Sequence, residues 1–132
     1  MAFGVVIVDD NPLFLKTARD LLEREGLRVV GLAATAAQAL QRTAELRPDI
    51  VLVDISLGHE SGFDVARRLV EHDRSGETAV ILISTHSEDD FADLIAESPA
   101  AGFLPKGDLS AHAIRRIVDG GGPGAPPGAR RP

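Results

Sequence analysis

The chain has 132 residues, of which 44% are hydrophobic, and this suits one globular domain with a buried core. It has no cysteine, which excludes disulfides, thiolate catalysis and cysteine-bound zinc and agrees with a cytoplasmic location. Its net charge is −6 and no basic stripe is present, so we expect no direct contact with nucleic acid. No apolar run approaches the roughly 18 residues of a membrane span, so we expect no membrane partner.

Short apolar runs alternate five times with segments of helical period. We predict strands near 3–9, 28–33, 49–54, 79–84 and 100–104, and helices near 12–25, 36–47, 62–73, 88–97 and 110–119. Strands that alternate with helices favour βαβ units and a parallel sheet. The sequence therefore predicts one α/β domain over residues 1–119, a doubly wound five-stranded parallel sheet with five helices.

Local signals mark the ends of several helices. Asn11, followed by a proline, has the form of an N-cap, and Gly26 stands where a left-handed C-cap ends the first helix. Leu13 begins the stripe of the first helix that we expect to face the core. Ser87 is predicted to open the fourth helix. The Gly/Pro-rich segment 120–132 has little to bury, and we expect it to be disordered.

Four predicted strands lead to small polar or charged residues. The first strand leads to Asp9-Asp10, the third to Asp54, the fourth to Ser84 and the fifth, through a proline, to Lys106. Because parallel strands end at one edge of the sheet, we expect these side chains to share a pocket. Two like charges 4 Å apart repel by about 4 kcal/mol at an effective dielectric of 20, so three carboxylates need a cation. The pocket suits Mg²⁺ ahead of Ca²⁺, together with a phosphoryl group.

Taken singly, these residues have simpler interpretations. Asp9-Asp10 can be a strand end and a helix cap, Phe103 a core aromatic and Lys106 a solvated surface residue. Asp54 is harder to explain as a cap, because a loop follows it. Lys106 is one of only two lysines among fourteen basic residues, which favours a role for a compact ammonium. The interpretation as a site depends on all of them together.

The combination of Asp9-Asp10, Asp54, Ser84, and Phe103 with Lys106 resembles the receiver domain of bacterial two-component response regulators. The resemblance covers residues 3 to about 119. The segment 101–106 is most similar to receivers of the subfamily that often carries a helix-turn-helix output domain, and no such domain follows in this sequence. The resemblance therefore implies a single-domain response regulator whose strands have the flavodoxin-like order 2-1-3-4-5.

The resemblance also implies a phosphorylation site and a metal site. It makes Asp54 the phosphoacceptor. It assigns Mg²⁺ to Asp10, Asp54 and the backbone carbonyl of Ser56, with Asp9 acting in part through water. The chain would then catalyse its own phosphorylation and dephosphorylation, with no turnover of a separate substrate.

Further residues match the positions that respond to phosphorylation in this family. The resemblance makes Lys106 and Ser84 the partners of the phosphoryl oxygens, and Phe103 the aromatic switch residue. Drawing Ser84 towards the phosphoryl group would vacate space that Phe103 can fill. We also expect the lifetime of the phosphoryl group to depend on the residues that flank the path of an attacking water, which are Ser56, Thr85 and His86.

The implied function is phosphoryl transfer from a histidine kinase or phosphotransfer protein to Asp54, followed by altered contacts with an unknown downstream protein. A homodimer through helix 4, strand 5 and helix 5 is one form that these contacts can take. Three alternatives stay open. The chain can be an interaction module without phosphorylation, or the receiver fragment of a helix-turn-helix transcription regulator. It can also be a Mg²⁺-dependent phosphohydrolase, although Ser56 stands where such enzymes usually carry a second acid.

Overall fold

The computed structural model describes residues 3–73 and 75–121. Five strands form one sheet, and they are β1 (Gly4–Val8), β2 (Arg28–Ala33), β3 (Ile50–Asp54), β4 (Ala79–Ser84) and β5 (Gly102–Pro105). The hydrogen-bonded order is β2-β1-β3-β4-β5, and all four pairings are parallel. The predicted doubly wound, flavodoxin-like order is confirmed.

Helices cover both faces of the sheet. They are α1 (Pro12–Arg24), α2 (Ala36–Leu46), α3 (Gly62–His72), α4 (Ala92–Glu97) and α5 (Ala111–Arg116). Successive side chains of a strand point to opposite faces, so Val6 and Val8 pack under α2 and α3, whereas Val5 and Ile7 pack under α1 and α5. The central strands are buried on both sides, which explains their unbroken apolar sequences.

The first helix has the predicted ends but not the whole predicted stripe. The Asn11 side chain accepts hydrogen bonds from the backbone N–H groups of Leu13 and Phe14, and Gly26 adopts φ +98° after the helix. The expectation that Leu13 faces the core is wrong, because its surface is 72% exposed. At 3.6 residues per turn, Leu13 lies on the side of α1 opposite Leu22, so it points away from the core. The buried stripe consists of Leu15, Ala18 and Leu22.

The fourth and fifth helices are less regular than predicted. Residues 88–91 form a 3₁₀ turn (Glu88–Phe91), and α4 begins only at Ala92. Ser87 occupies the N-cap position, but its side chain makes no capping hydrogen bond, which leaves a first turn of adjacent acids poorly supported. The fifth helix continues from α5 into a π-helical turn over Ile117–Gly121. The predicted disordered segment 120–132 lies outside the described residues from position 122 onwards.

A short hairpin that the sequence analysis treated as a loop follows β3. Residues Ser56–Leu57 pair antiparallel with Glu60–Ser61, and the chain turns at Gly58, whose φ of +59° suits a glycine in a two-residue turn. The Glu60 carboxylate accepts a hydrogen bond from the backbone N–H of Ala36 at 2.9 Å. This contact ties the hairpin to the first turn of α2.

Within the described ranges, none of the helices has both the length and the apolar character needed to cross a membrane.

Candidate functional site

Three carboxylates meet at the carboxyl edge of the sheet. Asp9 follows β1 and is fully buried, Asp10 is exposed, and Asp54 ends β3 with 7% of its surface exposed. One carboxylate oxygen of each lies within 4.8 Å of the other two. Neighbouring strands β1 and β3 bring these residues together, although 44 positions separate Asp10 from Asp54 in the sequence.

The ammonium of Lys106 lies between two of these carboxylates. Its Nζ is 2.6 Å from Asp9 Oδ2 and 3.1 Å from Asp54 Oδ2. The contact with Asp54 is a hydrogen bond, whereas the contact with Asp9 is short but poorly directed and is therefore an ion pair. The Lys106 side chain is only 15% exposed. Ion pairs in such partly desolvated positions are screened much less than those at the surface.

The environment shifts the pKa of both partners. Burial raises the pKa of Asp54, and the negative charge of Asp9 adds to this, while hydrogen bonds from the Ser56 N–H and Lys106 oppose it only in part. For Lys106, burial alone lowers the pKa, but the contacts with Asp9 and Asp54 outweigh burial and raise it. Lys106 is therefore a stable cation, and Asp54 is a carboxylate whose charge is costly without further compensation.

The oxygen ligands and the net charge fit a magnesium ion. With all groups ionised, three carboxylates and one ammonium leave two net negative charges, which one Mg²⁺ balances. Mg²⁺ usually binds one or two carboxylates and keeps several waters, and the exposed Asp10 leaves room for water. Ca²⁺ takes six to eight oxygen ligands, mostly from the protein, whereas octahedral Mg²⁺ needs only one or two carboxylates because waters complete its shell. The cluster is thus an acidic pocket of the kind that binds Mg²⁺.

The start of α3 packs closely against the backbone of Asp54. The Gly62 N–H donates a hydrogen bond to the carbonyl of Ile55 at 2.8 Å. A Cβ atom at Gly62 would lie 2.0 Å from the Asp54 carbonyl oxygen, a distance that no side chain can adopt. Only glycine fits here, and it lets α3 support the strand end that carries Asp54.

Ser84 ends β4 and is engaged by its own loop. Its hydroxyl is buried and accepts a hydrogen bond from the His86 backbone N–H at 2.9 Å, and it lies 3.4 Å from Nδ1 of the His86 ring. The same ring meets Phe91 edge-on at 5.7 Å, and Phe91 lies 6.1 Å from Phe63 of α3. Thr85 is exposed beside this group. The hydroxyl of Ser84 is thus at the site edge, held in a contact with His86.

The aromatic residue of β5 is already inside the protein. Phe103 is 3% exposed and belongs to the core cluster on the α2–α3 face. The sequence analysis expected its ring to move inward when Ser84 is drawn towards a phosphoryl group. The described conformation has the ring in a buried position, and its movement with Ser84 on phosphorylation stays a prediction.

Phe14, for which the sequence pattern predicts no role, lies at the site. The Nζ atom of Lys106 lies 4.2 Å from the centroid of the Phe14 ring. The available signal was an aromatic residue in the first turn of the helix that follows the paired acids. That spacing alone does not show which way the ring points.

Comparison with known proteins agrees with the fold. The sequence profile of the response regulator receiver domain matches residues 5–118. The chain belongs to this family. It is 32% identical over 121 residues to the response regulator GacA of Pseudomonas aeruginosa, covering 88% of this chain and 55% of that protein. It is 29% identical over 114 residues to the DNA-binding transcriptional activator EvgA of Escherichia coli K12, again covering 55% of the relative.

Solved structures give the same answer. The signal receiver domain of the putative response regulator NarL from Mycobacterium tuberculosis superimposes with a TM-score of 0.78 at 31% identity, covering 90% of this chain and 98% of that one. A LuxR-family two-component response regulator from Aurantimonas sp. SI85-9A1 gives 0.79 at 29% identity, with 89% and 86% covered. The receiver domain spans about half the length of the curated relatives that it matches.

Proposed function

We propose that this receiver domain accepts a phosphoryl group on Asp54 in a reaction that needs Mg²⁺, Lys106 and Ser84. The observation that carries the proposal is the position of the Lys106 ammonium, which contacts Asp54. Asp54 itself belongs to a cluster of three carboxylates whose oxygens lie within 4.8 Å of one another. A carboxylate nucleophile, a fixed cation and an acidic metal pocket are the parts that phosphoryl transfer to an aspartate requires.

In the proposed reaction, a carboxylate oxygen of Asp54 attacks phosphorus while the bond between phosphorus and the donor breaks. The donor leaves with the bonding electron pair, and an acyl phosphate forms on Asp54. Asp10, Asp54 and the Ser56 carbonyl would hold Mg²⁺, with Asp9 acting in part through water. When bound, Mg²⁺ would supply positive charge that stabilises the transferred oxygens. Lys106, whose ammonium contacts Asp54, would donate to these oxygens and stabilise the charge that develops on them.

The proposed switch begins at Ser84. To reach a phosphoryl oxygen, its hydroxyl has to leave the His86 N–H that now donates to it at 2.9 Å. Because the His86 ring packs on Phe91, this exchange disturbs the 3₁₀ turn that precedes α4. We place Ser56, Thr85 and His86 beside the path of the water that removes the phosphoryl group, since all three are exposed around Asp54 and Ser84.

Receiver domains of response regulators exchange phosphoryl groups with histidine kinases or phosphotransfer proteins, and we assign that partner class to this chain. A homodimer through α4, β5 and α5 fits the exposed charges of Asp93, Glu97 and Arg116. A second candidate function is the receiver part of a transcription regulator. The match of this chain to about half of the activator EvgA favours it, and a reading frame that continues into helix-turn-helix sequence would support it.

Labelling by acetyl phosphate tests the proposed function. We expect the wild-type protein to gain one phosphoryl group in Mg²⁺, measured by intact-mass spectrometry, and to gain none in EDTA. Asp54→Asn should abolish labelling, whereas Asp20→Asn, an exposed acid on α1, should leave it unchanged. Labelling that persists in Asp54→Asn, or that ignores Mg²⁺, contradicts the proposal. Absence of labelling in the wild type favours an interaction module without phosphorylation.

A further inference from the structure

The Phe14 ring covers one side of the Lys106 ammonium. Its centroid lies 4.2 Å from Nζ, and a cation over the face of an aromatic ring at this distance is attracted by the ring's electron-rich face. The contact lies on α1, whereas the carboxylates that bind the same ammonium follow β1 and β3. The ammonium is therefore held by charged oxygens and by a neutral ring.

A closed circuit of contacts fixes the position of that ring. The Asn11 N–H donates to Asp9 Oδ1 at 2.8 Å, and Asn11 Oδ1 accepts from the Phe14 N–H at 3.3 Å. The Phe14 ring contacts Lys106, and Lys106 returns to the other oxygen of Asp9 at 2.6 Å. Phe14 also packs against the core cluster on the α1–α5 face. The ring is thus set by the helix cap and the core.

We infer that Phe14 is a positioning residue that holds the Lys106 ammonium where the transferred phosphoryl oxygens arrive, an inference that rests on the function proposed above. Lysine has a long, flexible side chain, so its ammonium can occupy many positions unless other groups fix it. When Asp54 becomes an acyl phosphate, its contact with Lys106 changes, whereas the contact with a neutral ring does not. The ring keeps the ammonium in place through the reaction and keeps water from one side of it.

The test compares Phe14→Leu and Phe14→Tyr with a matched control. Phe3→Leu also removes a ring that packs on the same core cluster, but Phe3 precedes β1 at the opposite edge of the sheet. The measurements are the rate constant for labelling by acetyl phosphate in saturating Mg²⁺ and the dissociation constant of beryllofluoride. We expect Phe14→Leu to slow labelling and weaken beryllofluoride binding by about three- to tenfold, the range that one cation–π contact supplies. Phe14→Tyr and Phe3→Leu should stay within about twofold of the wild type, because a ring face remains beside Lys106 in both.

A fluorinated series separates the ring's charge distribution from its shape. Trifluorophenylalanine at position 14 keeps the shape of the ring and weakens its electron-rich face, so it should slow labelling and weaken beryllofluoride binding by a similar factor. This result does not depend on whether Phe14→Leu folds well. If the wild type takes the label and both Phe14→Leu and the fluorinated protein are labelled at the wild-type rate, this inference alone is overturned. It is also overturned if Phe3→Leu slows labelling as much as Phe14→Leu does. A wild type that takes no label overturns the proposed function and this inference together.

Discussion

Asp54 has to be ionised to act as a nucleophile, although its surroundings make that charge costly. It is 7% exposed and lies beside a second, fully buried carboxylate, Asp9. Burial raises its pKa, and the Ser56 N–H and Lys106 compensate only in part. The proposed activity thus requires a residue whose charge works against folding when no metal ion is bound.

This conflict predicts the stability of Asp54→Asn. Because the pKa of Asp54 is higher in the folded protein than in the unfolded chain, its ionised form disfavours folding at every pH above the folded pKa. Removing the charge should raise the free energy of unfolding in EDTA at neutral pH. Urea unfolding measures this, with Asp20→Asn as the exposed control. A variant that is less stable than the wild type in EDTA would show that Asp54 is well compensated by Lys106 alone.

The residues around the path of water predict the lifetime of the phosphoryl group. Ser56 and His86 are exposed, and their backbone N–H groups donate to Asp54 and Ser84, respectively. Replacing both by alanine should open the path and speed the loss of phosphate roughly fivefold, which corresponds to a barrier lower by about 1 kcal/mol. The decay of label after removal of acetyl phosphate gives the rate. An unchanged decay rate would mean that these side chains do not control access to Asp54.

At the scale of elements, the site depends on how closely α3 approaches β3. The N–H of Gly62 bonds to Ile55, and the space where a Cβ would lie is filled by the Asp54 backbone. The hairpin between these elements is held by Glu60 at the first turn of α2. The loop that follows Asp54 is therefore anchored at both ends, which keeps the Ser56 carbonyl in a defined place.

The same geometry predicts that alanine lowers the stability of the fold at one glycine and leaves it unchanged at another. Gly62→Ala should lower the free energy of unfolding by about 3 kcal/mol, because the methyl group would overlap the Asp54 carbonyl and force α3 away. Gly107→Ala, next to Lys106, should stay within about 0.5 kcal/mol of the wild type, since nothing lies within 4 Å of its Cβ position. Urea unfolding of both proteins is the measurement. Equal stabilities of the two variants would contradict the close approach of α3 to β3.

The elements also show what the sequence could predict. The five parallel strands follow from apolar runs that alternate with helical segments, because burial of these runs decides where strands form. Their order in the sheet is predicted from the family resemblance and not from the alternation. Leu13 is apolar yet exposed, because it lies about half a helical turn away from the buried stripe of Leu15, Ala18 and Leu22. The 3₁₀ turn before α4 arises where acids follow a serine that makes no cap, and composition alone does not show that failure.

At the scale of the whole molecule, stability also depends on a carboxylate outside the site, Asp73, which stabilises the turn between α3 and β4. Burial alone would raise the pKa of Asp73, but hydrogen bonds from the Ser75 hydroxyl and from the backbone N–H groups of Thr78 and Ser75 outweigh it and lower the pKa. The folded value is below the unfolded one, so the stabilisation is present above the unfolded pKa and is lost as pH falls through the folded pKa.

Asp73→Ala should therefore destabilise the protein more at about pH 7 than at about pH 3. At the lower pH the Asp73 carboxyl of the wild type begins to be protonated, so the wild type has lost part of the stabilisation that the variant lacks. Urea midpoints at the two pH values measure the difference. Asp20→Ala serves as the control, because its partner Arg19 is 3.9 Å away and both side chains are largely exposed. An equal cost at both pH values would indicate that the Asp73 carboxylate is not the group that holds this turn.

The whole site was only partly predictable for a physical reason. The convergence of Asp9, Asp10 and Asp54 follows from strand order, because parallel strands end at one edge. The contacts of Phe14 and His86 depend on side-chain directions that no strand order fixes. Phe103 lies at the expected position in β5, but whether its ring is inside or outside is decided by packing in the finished core.

The position of the phosphoryl group tests the central claim most directly. After labelling in Mg²⁺, borohydride reduction of the acyl phosphate followed by peptide mapping identifies the residue that carried it. We expect the reduced residue at position 54, with none at the neighbouring acids Asp9 and Asp10, because only Asp54 combines a carboxylate at the end of β3 with the hydrogen bond from Lys106. Label at another residue, or no acyl phosphate at all, would contradict the account.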